Sequence, residues 1–245
     1  MALFSFLYWT FFAVSLPFWF VPQAVLFVLA FPFDRRRLAI HLYACVWGVS
    51  YVWLNPFWRL TVEGRERVPW KGPAVIVANH LSLLDILVLY GLFRPYKWVS
   101  KASIFRIPFI GWNMRLNDYV GLRRGDRESI KRMMAHCREH LAAGSPVLIF
   151  PEGTRSPDGV LQPFKDGAFR LACEAGCPVI PVAISGTYRG LPKHGFMLRN
   201  RMDALVRVLE PIHPADFGGD LEALRDAAHA AIQAVLPVEA QPRER

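Results

Sequence analysis

An α/β fold, with a mixed β-sheet flanked by helices and preceded by apolar, membrane-anchoring N-terminal helices, is what these 245 residues predict. Three observations carry that expectation. Residues 1–33 contain no Asp, Glu, Lys or Arg, yet hold 12 of the 33 Phe, Trp and Tyr residues. From Leu60 onward, short β-rich apolar runs alternate with segments of helical period. All of the charge, Lys+Arg 29 against Asp+Glu 20, falls after residue 33, which sets a basic body behind an apolar head. A hydrophobic content of 53% excludes a disordered or low-complexity chain. The division is drawn as an anchoring segment over 1–58 and an α/β domain over 59–245.

The head comes first. At about 1.5 Å per residue its 33 residues would make a helix roughly 50 Å long, against a hydrocarbon core of roughly 30 Å. Pro17, Pro22 and Pro32 interrupt the run, so a kinked span or a re-entrant hairpin is expected rather than one straight rod. Neither a charged start nor a small-residue cleavage site is visible, so the head reads as a retained anchor and not a signal peptide. Arg35, Arg36 and Arg37 follow, and the positive-inside tendency places them in the cytoplasm. A second apolar run, about Leu38 to Trp58, is long enough to span but carries His41, Ser50, Tyr51, Asn55 and Pro56; it reads as an interfacial helix.

In the body, strands are expected at Leu60–Glu63, Ala74–Ala78, Lys97–Ser100, Asp118–Leu122, Val147–Phe150, Val179–Ile184 and Ala204–Leu209. Helices are expected between them. Over about Arg127–Ala143, Ile130, Met133, Met134, Cys137 and Leu141 share a face, and Gly144 and Pro146 stop the helix. Gly167–Ala175 ends at Gly176 and Pro178, and Asp220–Val235 is the last helix. Cys45, Cys137, Cys173 and Cys177 form neither a zinc pattern nor a disulfide framework, and no metal set is read from the sequence.

The residues after the strands carry the chemistry, because ligands of α/β sheets gather beyond the carboxyl ends of strands. AVIVA is followed by Asn79 and His80, KWVS by Lys101, YVGL by Arg123 and Arg124, and VLIF by Pro151, Glu152, Gly153, Thr154 and Arg155. In Asn79-His80-Leu81-Ser82-Leu83-Leu84-Asp85, the base leaves a strand and the carboxylate opens the next helix. A carboxylate bonded to one ring nitrogen fixes the tautomer and leaves the other nitrogen basic, which makes a general base. A histidine with a helix-start aspartate is also an ordinary structural pair, and spacing alone does not decide between the two. No Gly-x-Ser-x-Gly elbow supplies a nucleophile, so the hydroxyl activated by His80 belongs to the substrate.

In Phe150-Pro151-Glu152-Gly153-Thr154-Arg155-Ser156, Gly153 permits a left-handed turn and Arg155 can grip a phosphate bidentately. Glu152 would be repelled by that phosphate and is expected to orient an arginine or turn amides. The run is not a Walker loop. An arginine of the run Arg123-Arg124-Gly125-Asp126-Arg127 facing the crevice would complete a phosphate site. Nucleic acid is set aside as a partner: pI ≈ 9.7 suits it, but no recognised motif is present and the aromatics lie in the head.

These segments in this order, NHLSLLD, KASIFRIPFIGW, VGLRR, FPEGTRS and VIPVAI, resemble the membrane glycerolipid acyltransferases, and among them the bacterial 1-acyl-glycerol-3-phosphate acyltransferases. The similarity runs over roughly residues 60–190. It implies that His80 deprotonates a glycerol hydroxyl, that Asp85 orients His80, and that the hydroxyl attacks an acyl thioester directly. Lys101 matches a family lysine, for which stabilisation of the thioester oxyanion is the expected role. Arg124 matches the second motif; Glu152, Gly153 and Arg155, with Thr154 between them, match the third, which implies phosphate binding; Pro181 matches the fourth. In the second motif Asp118 and Gly121 stand where the family usually has glycine and an aromatic residue.

The resemblance further implies a fatty acyl transfer from acyl-CoA or acyl-carrier protein to the sn-2 hydroxyl of lysophosphatidate, giving phosphatidate, with no cofactor. The expected partners are the lipid acceptor, an anionic bilayer surface and the acyl donor. The expected location is the cytoplasmic (inner) membrane, with the catalytic domain facing the cytosol, where parity also keeps the second apolar run from spanning. Another lyso-lipid acceptor, such as a lyso-ornithine lipid or lysophosphatidylglycerol, and a non-catalytic binder of anionic lipid are the competing readings. Neither acyl-chain length nor oligomeric state is legible.

Overall fold

The computed structural model describes residues 2–193 and 195–241. The head forms α1 (Ala2–Ala30) and α2 (Leu38–Trp53). Contrary to the expected interruption, α1 is continuous, with Pro17 and Pro22 inside it. Each proline removes one intrahelical bond, but the helix is held beside both. Ser15 Oγ lies 2.7 Å from Tyr51 Oη, and Gln23 Nε2 donates to Asn113 Oδ1 at 2.7 Å. The reversal comes after α1 instead. The Asp34 carboxylate accepts from the amides of Leu38 and Ala39, both at 2.7 Å, and so starts α2. The Arg37 guanidinium sits 4.6 Å from the ring centres of both Phe27 and Phe31. Arg36 donates to the Trp70 carbonyl and to Ser145 Oγ, pinning the reversal to the body.

The interfacial expectation for the second run is also corrected. Ile40, Ala44, Cys45, Trp47, Val49, Tyr51 and Val52 are buried, because α2 is covered by α1 on one side and by the body on the other. Its polar residues are satisfied by protein rather than by headgroups. His41 Nδ1 lies 2.7 Å from Tyr119 Oη, and its Nε2 is 2.9 Å from the Arg94 carbonyl. Gly48 lets α2 approach so closely that a Cβ there would overlap the Tyr90 ring.

The body continues through β1 (Trp58–Glu63), β2 (Val75–Ala78), α3 (Leu84–Leu89), β3 (Lys97–Lys101), α4 (Ile110–Leu116), β4 (Val120–Leu122), α5 (Arg127–Ala142) and β5 (Val147–Ile149). It is completed by α6 (Gly167–Ala175), β6 (Val179–Ser185), α7 (Thr187–Gly190), β7 (Met202–Val208) and α8 (Leu221–Val235). The expected strands all form, with ends shifted by at most two residues. On α5, Ile130 is exposed rather than buried.

The seven strands run β1-β7-β6-β2-β5-β3-β4 in one sheet. From β6 to β4 neighbours are parallel, whereas β7 is antiparallel to β6 and parallel to β1. The sheet is therefore mixed, and five carboxyl ends share one edge. Side chains alternate across β2: Ile76 and Ala78 join the core beneath α1 to α4, while Val75 and Val77 join the core beneath α5, α6 and α8. Covered on both faces, β2 has no room for polar residues.

α1 inverts the usual surface pattern. Leu3, Leu7, Phe11, Val14, Phe18, Val21, Val25 and Val28 lie exposed at helical spacing, while Ser5, Ser15 and Gln23 point at the protein. Its 29 residues extend for about 44 Å, long and apolar enough to cross a membrane. This outward apolar stripe suits contact with a membrane.

The Gly48 contact makes a prediction. Gly48→Val should destabilise the detergent-solubilised protein by about 1–3 kcal/mol through overpacking against Tyr90. An unchanged thermal unfolding midpoint would remove that contact from the account.

Candidate active site

Five strand exits converge on the edge where β6, β2, β5, β3 and β4 end. Asn79 fixes the first of them. Fully buried, it accepts from the Ile184 amide at 2.7 Å and donates to the Ile184 carbonyl at 2.9 Å, tying the end of β2 to β6. The next residue, His80, stacks on Phe150 with ring centres 3.9 Å apart and planes 12° from parallel.

His80 Nδ1 lies 2.8 Å from Asp85 Oδ2. The same oxygen accepts from the amides of Leu81 and Ser82 at 2.6 and 2.8 Å, and Oδ1 accepts from Thr187 Oγ1 at 2.5 Å. Asp85 is fully buried, so these four donors replace the water it has lost. An ionised carboxylate only accepts, which puts the ring proton on Nδ1 and the lone pair on Nε2. Among the described residues nothing bonds to Nε2, and the His80 side chain keeps 12% exposure. A substrate hydroxyl can reach that nitrogen.

Glu152 does not orient an arginine. Its Oε1 accepts the His80 amide at 2.7 Å, so it ties the base to the turn after β5; the Ser156 amide bonds the His80 carbonyl at 2.7 Å from the same turn. Its Oε2 has no partner among the described residues, and burial raises the carboxyl to about 8, with the His80 amide pulling the other way. Burial thus favours the uncharged form of Glu152 and lessens the repulsion of a phosphate expected from sequence.

Gly153 takes φ 73, which the turn requires and a side chain would resist. Lys165, not foreseen from sequence, holds its ammonium over that turn, 2.9 Å from where a Gly153 Cβ would lie. Arg155 is half-buried; burial lowers its pKa, while the charges of Asp85 and Arg124 act on it in opposite directions, so the two arginines are electrostatic neighbours. Thr154, Arg124 and Arg123 are exposed beside it. Lys101, also exposed, ends β3 in register with Leu122. It stands two strands from His80 with β5 between them, and no contact joins the two. Pro181 lies within β6 opposite Val77 and not on this edge. The arrangement offers a general base within a field of cations, suited to an anionic molecule with a free hydroxyl.

Glu152 gives a pH prediction with a definite sign. Its folded pKa of about 8 lies above the ordinary 4.5 of a glutamate, so the folded state holds the proton more tightly than the unfolded chain. Stability on this account is complete below the unfolded value and declines as pH rises from about 4.5 to about 8. Glu152→Gln should match wild type near the acid end and exceed it by a few kcal/mol, on the order of the shift, near pH 8. Parallel melting curves across pH for the two proteins would contradict it.

Comparison with known proteins shows the family. The family model described as Acyltransferase matches residues 59–185. A 1-acyl-sn-glycerol-3-phosphate acyltransferase of Chlamydomonas reinhardtii is 42% identical over 230 residues, 93% of this chain and 68% of that protein. One of Pseudomonas aeruginosa is 36% identical over 60% of this chain and 54% of its own length. The crystal structure of the 1-acyl-sn-glycerophosphate (LPA) acyltransferase PlsC from Thermotoga maritima superposes with a TM-score of 0.75 at 28% identity, covering 94% of this chain and 92% of that one. With a family match over half its length, and the base, the carboxylate and the FPEGTRS turn on one sheet edge, the chain belongs to the acyltransferase family.

Proposed function

We propose that the protein transfers a fatty acyl group from an acyl thioester, carried by CoA or acyl-carrier protein, to the sn-2 hydroxyl of 1-acyl-glycerol-3-phosphate, giving phosphatidate. The observation that carries the reading is the His80–Asp85 pair, with Nε2 open, at an edge lined by Arg124, Arg155 and Lys165. The names of the relatives supply the acceptor. In the reaction, the hydroxyl proton passes to His80 Nε2 as the oxygen bonds to the thioester carbonyl carbon. The C–S bond then breaks, the thiol leaves with a proton, and the ester remains. Asp85 keeps the ring in the required tautomer and stabilises the imidazolium.

Arg124 and Arg155, with the turn at Gly153 and Thr154, are assigned to the acceptor phosphate, where guanidinium groups bind bidentately. Lys101 is assigned to the oxyanion that develops on the thioester carbonyl. No cofactor enters this scheme. The apolar stripe of α1 rests in the cytoplasmic membrane while the catalytic edge faces the cytosol. Its inward face is occupied by protein along much of its length, which favours lying in the bilayer surface over spanning.

Thiol release and phosphatidate formation should rise together when detergent-purified protein receives a long-chain acyl-CoA and lysophosphatidate. His80→Ala should lose about 10²–10⁴ of the rate. Thiol without phosphatidate would replace the assignment with hydrolysis or another acceptor, and full activity in His80→Ala would remove the base.

Thr187→Val tests the orienting role of Asp85. Loss of one donor to a buried carboxylate should lower kcat about 10-fold, the equivalent of roughly 1.4 kcal/mol, with KM little changed. A change confined to KM would assign Thr187 to substrate binding instead.

A further inference from the structure

At the sheet edge opposite the catalytic one, Asp118 leads into β4, and His136 and His140 lie four residues apart on α5. That spacing puts both imidazoles on one face of the helix, where the rings stack at 4.5 Å. Asp118 divides its carboxylate between them: Oδ1 is 3.3 Å from His136 Nε2, and Oδ2 is 3.8 Å from His140 Nε2. One ligand atom from each residue falls within 4.8 Å of the other two. Around a tetrahedral ion with bonds of about 2.0–2.2 Å, ligand atoms sit roughly 3.3–3.6 Å apart. The three donors therefore already stand close to the separation a metal imposes.

We propose that Asp118, His136 and His140 form a binding site for a divalent transition-metal ion of the zinc type. Two imidazoles and one carboxylate suit zinc, copper or nickel, whereas calcium and magnesium call for oxygen donors alone. The His140 side chain is 9% exposed and gives the site a fixed wall, while His136 at 34% and Asp118 at 52% leave water to fill the remaining position. His140 Nε2 now bonds the Asp118 carbonyl at 2.9 Å. Taking the metal there moves the ring proton to Nδ1, a change of tautomer that leaves the imidazole neutral. Lys97, whose ammonium donates to the Asn117 carbonyl at 2.7 Å, is the charge that opposes a cation here, since it also acts on His140. Asp118 holds φ 57, so the ion would clamp a left-handed turn to α5. The site is a brace between a helix and a strand entry, independent of the acyl-transfer reading.

The test uses untagged, chelator-stripped full-length protein in detergent, titrated with zinc chloride by calorimetry and with cobalt(II) by visible absorption. One equivalent should bind, and the unfolding midpoint should rise by about 5–10 °C at roughly 100-fold excess over the dissociation constant. His136→Ala, at a half-exposed position, and Asp118→Asn should each abolish or sharply weaken both signals. His213→Ala, an exposed histidine outside the cluster, should leave them intact. Absence of saturable binding, binding unchanged in His136→Ala and Asp118→Asn, or equal loss in His213→Ala would overturn the site.

Discussion

One buried carboxylate organises the reactive edge. With no access to solvent, Asp85 must be met by protein donors, and each of its four comes from a different place: a ring nitrogen, two successive backbone amides and the hydroxyl of Thr187 after β6. Meeting that demand folds the chain after β2 into a tight turn, sets the start of α3 and draws the exit of β6 against it. Gly186 permits the last of these, because at φ 84 a Cβ would collide with the Asp203 carbonyl. The tautomer of His80 follows from an electrostatic necessity that would exist without any substrate.

Glu152 makes the complementary arrangement. Asp85 is met by four donors, whereas Glu152 accepts the His80 amide with its other oxygen unpartnered among the described residues, and burial pushes it toward its neutral form. Two carboxyl groups flank one histidine, one bonded to the ring and the other holding its backbone. The difference between them comes from the count of donors and not from residue type.

Much of this was legible in the sequence. The apolar runs identified β2 and β6 because strands covered on both faces leave no polar alternative. Strand exits then placed His80, Lys101, Arg124 and the turn at Glu152 on one side. What the sequence hid was long-range. Thr187 reaches Asp85 across 102 positions, and neither residue type announces the other. Phe150 read as the end of a strand, not as a platform for His80. The prolines of α1 were read by a local rule that tertiary tethers at Tyr51 and Asn113 overrode. α2 was read as interfacial from its polar residues and from parity, neither of which distinguishes burial under protein from contact with headgroups. Asp118, which interrupts the expected second motif, takes the left-handed conformation a glycine there would adopt freely, so the departure preserves the turn.

The tethers of α1 also set an order of events at the ribosome. The Leu198 amide donates to Ser5 Oγ across 193 positions, and the Trp9 indole donates to the Phe196 carbonyl across 187. At synthesis rates of about 5–20 residues per second, α1 waits roughly 10–40 s for those partners to be made. During that interval α2 can already meet part of the inner face through Tyr51 and Ile40, while the N-terminal end at Ser5 and Trp9 lacks its partners. The docking site of α1 is thus completed in stages, its middle by α2 and its N-terminal end only late in synthesis.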